Sequence, residues 1–167
     1  MKETPFLDHA HEAIDSLRHL SFLSQMSEKH LQSIFRMSRI RYYERDEVVI
    51  QEGACDSFLY ILLSGEVKIV KHGTVVSWLR QAGDVFGELA VIDFLPRSAT
   101  AIALGATSCL AMDAACFDAL PPADQAVIYA ILYKSLAQVV TERLRSTSDE
   151  LASLKRGIMA GAGAEAA

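Results

Sequence analysis

Between Ile40 and Met112 glycines stand at positions 53, 65, 73, 83, 87 and 105, and the runs between them are short and rich in Val, Ile, Leu, Phe and Tyr. Runs such as Glu47–Ile50, Phe58–Leu63, Glu66–Val70 and Thr74–Leu79 each close at a turn signal after about 8 to 12 residues. Glycines so placed punctuate strands, and their spacing predicts six to eight antiparallel strands in a sandwich or barrel. One stretch departs from the rhythm. Glu88-Leu89-Ala90-Val91-Ile92-Asp93 reads as helix, and Leu95-Pro96-Arg97 then precedes strand-like Thr100–Leu104.

Both flanks are helical. From Asp8 to Met37 apolar residues recur at spacings of three and four, Ile14, Leu17 and Leu20, then Leu31, Ile34 and Phe35, with Ser27 placed to cap the second of two short helices. Beyond Asp113 the helical period returns. Leu120-Pro121-Pro122 marks a helix start with proline just inside it, and no breaker follows until Gly157. A helix over Ala123–Gly157 would be about 52 Å long, more than a core of this size covers. Its apolar residues form two stripes. Ile128, Leu132, Leu136 and Val139 suit the barrel wall. Ala130, Tyr133, Ala137, Val140, Leu144, Thr147, Leu151, Leu154 and Ile158 alternate three and four over four heptads, the pattern of a seam between two chains. The expected organisation is N-terminal helices over 1–37, the strands over 38–113, C-terminal helices carrying a dimer contact over 114–156, and a flexible small-residue tail over 157–167.

Composition excludes several classes of function. Sixteen Lys and Arg against 21 Asp and Glu leave a net charge of −5, which opposes binding to a phosphate backbone. No apolar run reaches the roughly 18 residues of a membrane span, and the N-terminus lacks the blocks of a secretory signal, so the expected location is the cytoplasm. Cys55, Cys109 and Cys116 form no CxxC, and the histidines show no metal spacing apart from His9 and His11, two apart. Neither a metal nor a cofactor is expected. No nucleophile–base constellation emerges either, so the chain is read as a binding module and not as an enzyme.

The chemistry concentrates between Phe86 and Thr100. Gly87 lets the backbone turn sharply, and the amides of Leu89 and Ala90 in the helix it opens have no intrahelical acceptor, which suits an anion. The planar fork of Arg97 fits two oxygens of one phosphate, and Ser98 adds a hydroxyl. Glu88 would repel that phosphate unless it accepts hydrogen bonds from a sugar hydroxyl, so the set as a whole fits an anion carrying a ribose.

Phe86-Gly87-Glu88-Leu89-Ala90 with Pro96-Arg97-Ser98-Ala99-Thr100 resembles the phosphate-binding cassette of the cyclic nucleotide-binding domain family. The likeness extends through Glu52-Gly53, Asp56–Ile61, Ser64–Val67 and Gly83-Asp84, covering roughly Leu20 to Leu154. It implies an α+β fold: an antiparallel, jelly-roll-like β-roll with N-terminal helices, a short cassette helix and a long C-terminal helix. It also implies that Arg97, Ser98 and the amides of Leu89, Ala90 and Ala99 hold the cyclic phosphate, that Glu88 and Gly87 hold the ribose 2′-hydroxyl, and that Asp56 orients Arg97. Arg143–Leu151 is similar to the sensor helix of the bacterial catabolite activators, which places Thr147 and Ser148 on the base and favours cyclic AMP over cyclic GMP. No helix-turn-helix follows Leu154, so direct DNA binding is not expected. The expected partners are a cyclic nucleotide, a second copy of the chain and an unidentified downstream protein. A sensor for cyclic GMP, a regulatory fragment of a transcription factor, kinase or channel, and a ligand-free dimerisation module are the alternatives.

Overall fold

The computed structural model describes residues 1–5 and 23–164, which divide into two compact units, Met1–Tyr133 and Lys134–Ala167. Among the described residues the first unit holds nine strands in two sheets, every pairing antiparallel. The first sheet is ordered β1-β2-β9-β4-β7, from Lys2–Pro5, Ser38–Tyr43, Thr107–Asp113, Phe58–Ser64 and Val85–Phe86. The second is ordered β3-β8-β5-β6, from Val48–Ile50, Thr100–Ala103, Val67–Lys71 and Thr74–Leu79. Eight of the nine strands lie within 38–113, and the architecture is the antiparallel β-roll with helices that the resemblance implies.

Strand alternation builds two cores. Tyr43, Ile50, Tyr60, Leu62, Val67, Phe86, Ala101, Cys109 and Ala111 form one buried cluster shared by the two sheets. Leu110 and Met112 alternate with Cys109 and Ala111 on β9 and are equally buried, so they face the other side of the first sheet. Helix α1 (Glu28–Arg36) packs against β2 and buries Leu31, Ile34 and Phe35. This is why β4 and β9 read as near-continuous apolar runs rather than strict alternations.

The turn chemistry follows the glycines: Gly53, Gly65, Gly73, Gly83 and Gly87 all adopt positive φ. Gly65 shows the need most sharply, since at φ +89° a Cβ would meet the Ala106 carbonyl oxygen and the Thr107 side chain, each at 2.6 Å. The short helix α2 (Glu88–Asp93) interrupts the sheets where the helix formers stand. Ser27 caps α1 by accepting from the His30 amide at 3.4 Å.

Two expectations for the flanks change. The N-terminus is not wholly helical: Lys2–Pro5 forms β1, which pairs with β2 in the register Glu3↔Arg41 and extends the first sheet. Ion pairs of Glu3 with Arg39 and Arg41 favour the pairing. The first expected helix, carrying Ile14, Leu17 and Leu20, and the pair His9 and His11 lie outside the described residues. Helix α3 spans Pro122–Ala164, through Gly157 and into the stretch read as a flexible tail. A glycine costs a helix only roughly 1 kcal/mol against alanine, and Ala160, Ala162 and Ala164 beyond Gly157 are the best helix formers.

His30 is tucked in at 13% side-chain exposure, with Nε2 at 3.4 Å from Asp124 Oδ1 in the first turn of α3. Lys29 Nζ reaches the same carboxylate at 2.7 and 2.8 Å. The Lys29 hydrogen bonds, with His30 adding to them against the opposing effect of desolvation, hold the Asp124 carboxyl below its ordinary 3.8. A depressed carboxylate contributes stability above its unfolded pKa and loses it as pH falls through the folded value. Asp124→Asn is therefore expected to flatten the fall in unfolding temperature below about pH 4. Thermal scans of both proteins between about pH 3 and about pH 7 check this; parallel curves would refute it.

Candidate functional site

β7 ends at Phe86, whose ring is 1% exposed and stacks on Tyr60 at 5.2 Å between centroids, with the planes 19° apart. The β4–β7 pairing places Phe86 opposite Tyr60, so the start of the cassette is anchored to the roll interior. Gly87 follows in the left-handed conformation at φ +78° as the N-cap of α2. A glycine cap has no side chain to offer, which leaves the first-turn amides of α2, those of Leu89 and Ala90 among them, for another acceptor. Glu88 and Ala90 are buried and Leu89 is half-exposed.

Arg97 returns beneath this turn. It is 3% exposed, and its guanidinium is clamped from three directions. Nη1 donates to the Gly87 carbonyl at 2.7 Å, and Nη2 donates to the Phe58 carbonyl at 2.6 Å. Nε donates to Asp56 at 3.2 Å, and Nη2 also donates to Asp56, giving the two-point pairing of a planar fork with a carboxylate. Burial pushes the Asp56 carboxyl up. The Arg97 hydrogen bonds, the Phe58 amide and the charges of Arg97 and Arg41 outweigh that effect and hold it below the usual carboxylate range. The backbone of Arg97 is pinned too, its amide donating to Ala54 at 2.8 Å and its carbonyl accepting from Gly53 at 2.9 Å.

The structure therefore brings Phe86, Gly87, Glu88, Leu89, Ala90, Arg97, Ser98 and Ala99 into one turn-helix-turn segment of the first unit. Asp56 holds Arg97 as the resemblance implied. Ser98 is exposed, and Ala99 is half-buried. Thr147 and Ser148 belong to the second unit and are exposed on α3. Tyr129 donates to Asp118 at 2.9 Å and packs edge-on against Phe117. Among the described residues there is no cluster of three or more His, Cys, Asp and Glu able to hold a metal, and no helix long and apolar enough to cross a membrane.

Sequence reasoning missed the main-chain acceptors. The carbonyls of Gly87 and Phe58 hold Arg97 alongside Asp56, and no residue type announces a carbonyl. It also missed Arg41, which lies 4.2 Å over the Phe58 ring and donates to the Tyr60 hydroxyl at 2.8 Å. A lone arginine on a strand carries no spacing signal.

The sequence model of the cyclic nucleotide-binding domain matches residues 40–121. The chain is similar to a Rap guanine nucleotide exchange factor 1 of Caenorhabditis elegans, 33% identical over 96 residues that make up 58% of this chain and 9% of that protein. It is similar to a cAMP-dependent protein kinase regulatory subunit of Eremothecium gossypii, 33% identical over 89 residues, 53% of this chain and 19% of the relative. The chain thus spans a minor part of either relative's length. Among solved structures, a cyclic nucleotide-binding domain from Methylobacillus flagellatus superposes with a TM-score of 0.71 at 22% identity, covering 89% of this chain and 86% of that one.

Proposed function

As the chain belongs to the cyclic nucleotide-binding domain family through residues 40–121, we propose that it is a non-catalytic sensor that binds cyclic AMP reversibly and relays its ligand state through α3. The observation that carries this reading is the buried Arg97 clamp beside the uncapped first turn of α2. A buried guanidinium with one N–H left over, close in sequence to first-turn amides that no side chain caps, suits a singly charged diester. Glu88, buried next to Gly87, is assigned to the ribose 2′-hydroxyl, and Ser98 and the Ala99 amide to the phosphate. Thr147 and Ser148 are assigned to the base. Cyclic AMP is preferred because the kinase regulatory subunit among the relatives is named for it. Neither a catalytic constellation nor a cofactor is part of the reading, and the chain is placed in the cytoplasm.

The relay needs a population shift: the ligand has to prefer one arrangement of the cassette over another by a few kcal/mol. Half-exposed Leu89 and Ile92 on α2 are the apolar side chains free to repack. A second copy of the chain is the proposed partner of the second unit, where Leu144, Leu151, Leu154 and Ile158 stay exposed at spacings of seven, three and four residues. Light scattering of the purified chain at twice the monomer mass would support that pairing, and the monomer mass at every concentration would end it.

Titration calorimetry with cyclic AMP and with cyclic GMP tests the main reading. The expected result is saturable cyclic AMP binding at micromolar or tighter affinity, about −8 kcal/mol. No heat with either nucleotide, in protein stripped of co-purified ligand, would overturn it in favour of a dimerisation module that keeps only the fold.

A further inference from the structure

The hairpin between β5 and β6 places one lysine on the phosphate cassette. Lys71, the last residue of β5, donates from Nζ to the Ser98 carbonyl at 2.9 Å. We propose that Lys71 is a positioning residue for the anion end of the site, fixing and polarising the peptide between Ser98 and Ala99; this rests on the nucleotide-binding reading above. In a trans peptide the carbonyl and the following N–H point in opposite directions. Holding the Ser98 oxygen on one side therefore aims the Ala99 amide to the other, and that amide is one of the donors assigned to the phosphate. An ammonium on the oxygen also draws density from the peptide and makes its N–H a stronger donor.

The rest of the segment shows why this peptide needs a hold of its own. Arg97 is pinned at both backbone groups by Gly53 and Ala54. Thr100 Oγ1 accepts from the Glu52 amide at 3.0 Å, and the β5–β8 ladder resumes at Val70↔Thr100. The peptide joining Ser98 to Ala99 lies between these anchors, and Lys71 reaches it from the neighbouring strand. The lysine itself is well placed. His72 and Gly73, at φ 49° and 80°, make the two-residue left-handed turn whose twist matches the flanking strands. Glu52 accepts from the His72 amide at 3.1 Å and pairs with its Nε2 at 3.1 Å. The hairpin tip is thus tied to the same loop that pins Arg97.

Lys71 is solvent-exposed, so the expected effect is severalfold and not orders of magnitude. The test uses the 167-residue chain as Lys71→Met, which keeps length and removes charge, and as Lys71→Arg, which keeps both. Calorimetry with cyclic AMP is paired with the amide spectrum of nucleotide-free protein. The Met variant should bind about three- to tenfold more weakly, the Arg variant should return to within about twofold of wild type, and the Ala99 amide proton should move upfield in the Met variant alone. Affinity of the Met variant within about twofold of wild type, or an Ala99 resonance that does not move, overturns the proposal while the wild-type titration leaves the sensor reading standing. A wild type that binds neither nucleotide overturns both, and that failure shows before any variant is measured.

Discussion

Arg97→Ala is expected to weaken cyclic nucleotide binding at least tenfold, about 1.4 kcal/mol, and to destabilise the ligand-free chain as well. The two effects share one cause. Removing the guanidinium strands the Asp56 carboxylate and leaves the Gly87 and Phe58 carbonyls without their donor. Breaking a fully buried ion pair costs roughly 3–5 kcal/mol. Asp56 keeps 36% side-chain exposure, so the expected loss is nearer 2 kcal/mol, since water screens what remains. Arg97→Lys should recover little of either, because a point charge on a flexible stem cannot span three acceptors in different directions. Calorimetry and denaturant midpoints on the three proteins check this. Wild-type affinity in the alanine variant would remove Arg97 from the site.

Gly87→Ala should be nearly as damaging, through sterics alone. At φ +78° any Cβ is strained, and here it would stand 2.7 Å from Arg97 Nη1, 3.0 Å from Ile50 Cδ1 and 3.1 Å from the Phe58 carbonyl oxygen. The left-handed backbone by itself costs on the order of 1–2 kcal/mol in a residue with a Cβ. The contact with Nη1 pushes the guanidinium off the Gly87 carbonyl, adding part of the loss seen in Arg97→Ala. The unfolding temperature should fall by roughly 5–10 °C, with nucleotide affinity reduced at least tenfold. Gly53→Ala is the comparison, as its φ is also positive at +82° and no atom lies within 4 Å of its Cβ. Equal losses in the two variants would show that backbone strain, and not crowding of Arg97, governs the site.

The strands were legible because their signals are local. Glycines that need positive φ bracket β-branched and aromatic runs, and nearly every predicted run falls within a residue or two of its strand. The cassette was legible for the same reason: Gly87, Glu88 and Arg97 are side-chain or backbone specialities at short range. β1 was not, since Lys2-Glu3-Thr4-Pro5 has no apolar alternation, and the β2 partners it pairs with, Arg39 and Arg41 among them, stand far along the chain. His30 and Lys71 were missed because each meets a partner far along the chain, Asp124 and Ser98. Gly157 misled in the other direction. One glycine was read as a stop, although the alanines beyond it carry the helix on.

The clamp on Arg97 also bears on the entropy of recognition. A free arginine side chain loses about 2 kcal/mol of rotamer freedom when it is immobilised. Here that loss is taken during folding, because all but one of the guanidinium N–H groups already have acceptors among the described residues. Ordering on binding then falls on the ligand and the cassette. In the proposed site the remaining N–H on Nη1 would point in a single direction, so an anion would be selected by where its oxygen lies and not by its charge alone. A rigid ring phosphate fits such a stereochemical filter, whereas a freely rotating monoester would have to give up its own torsional freedom to match it.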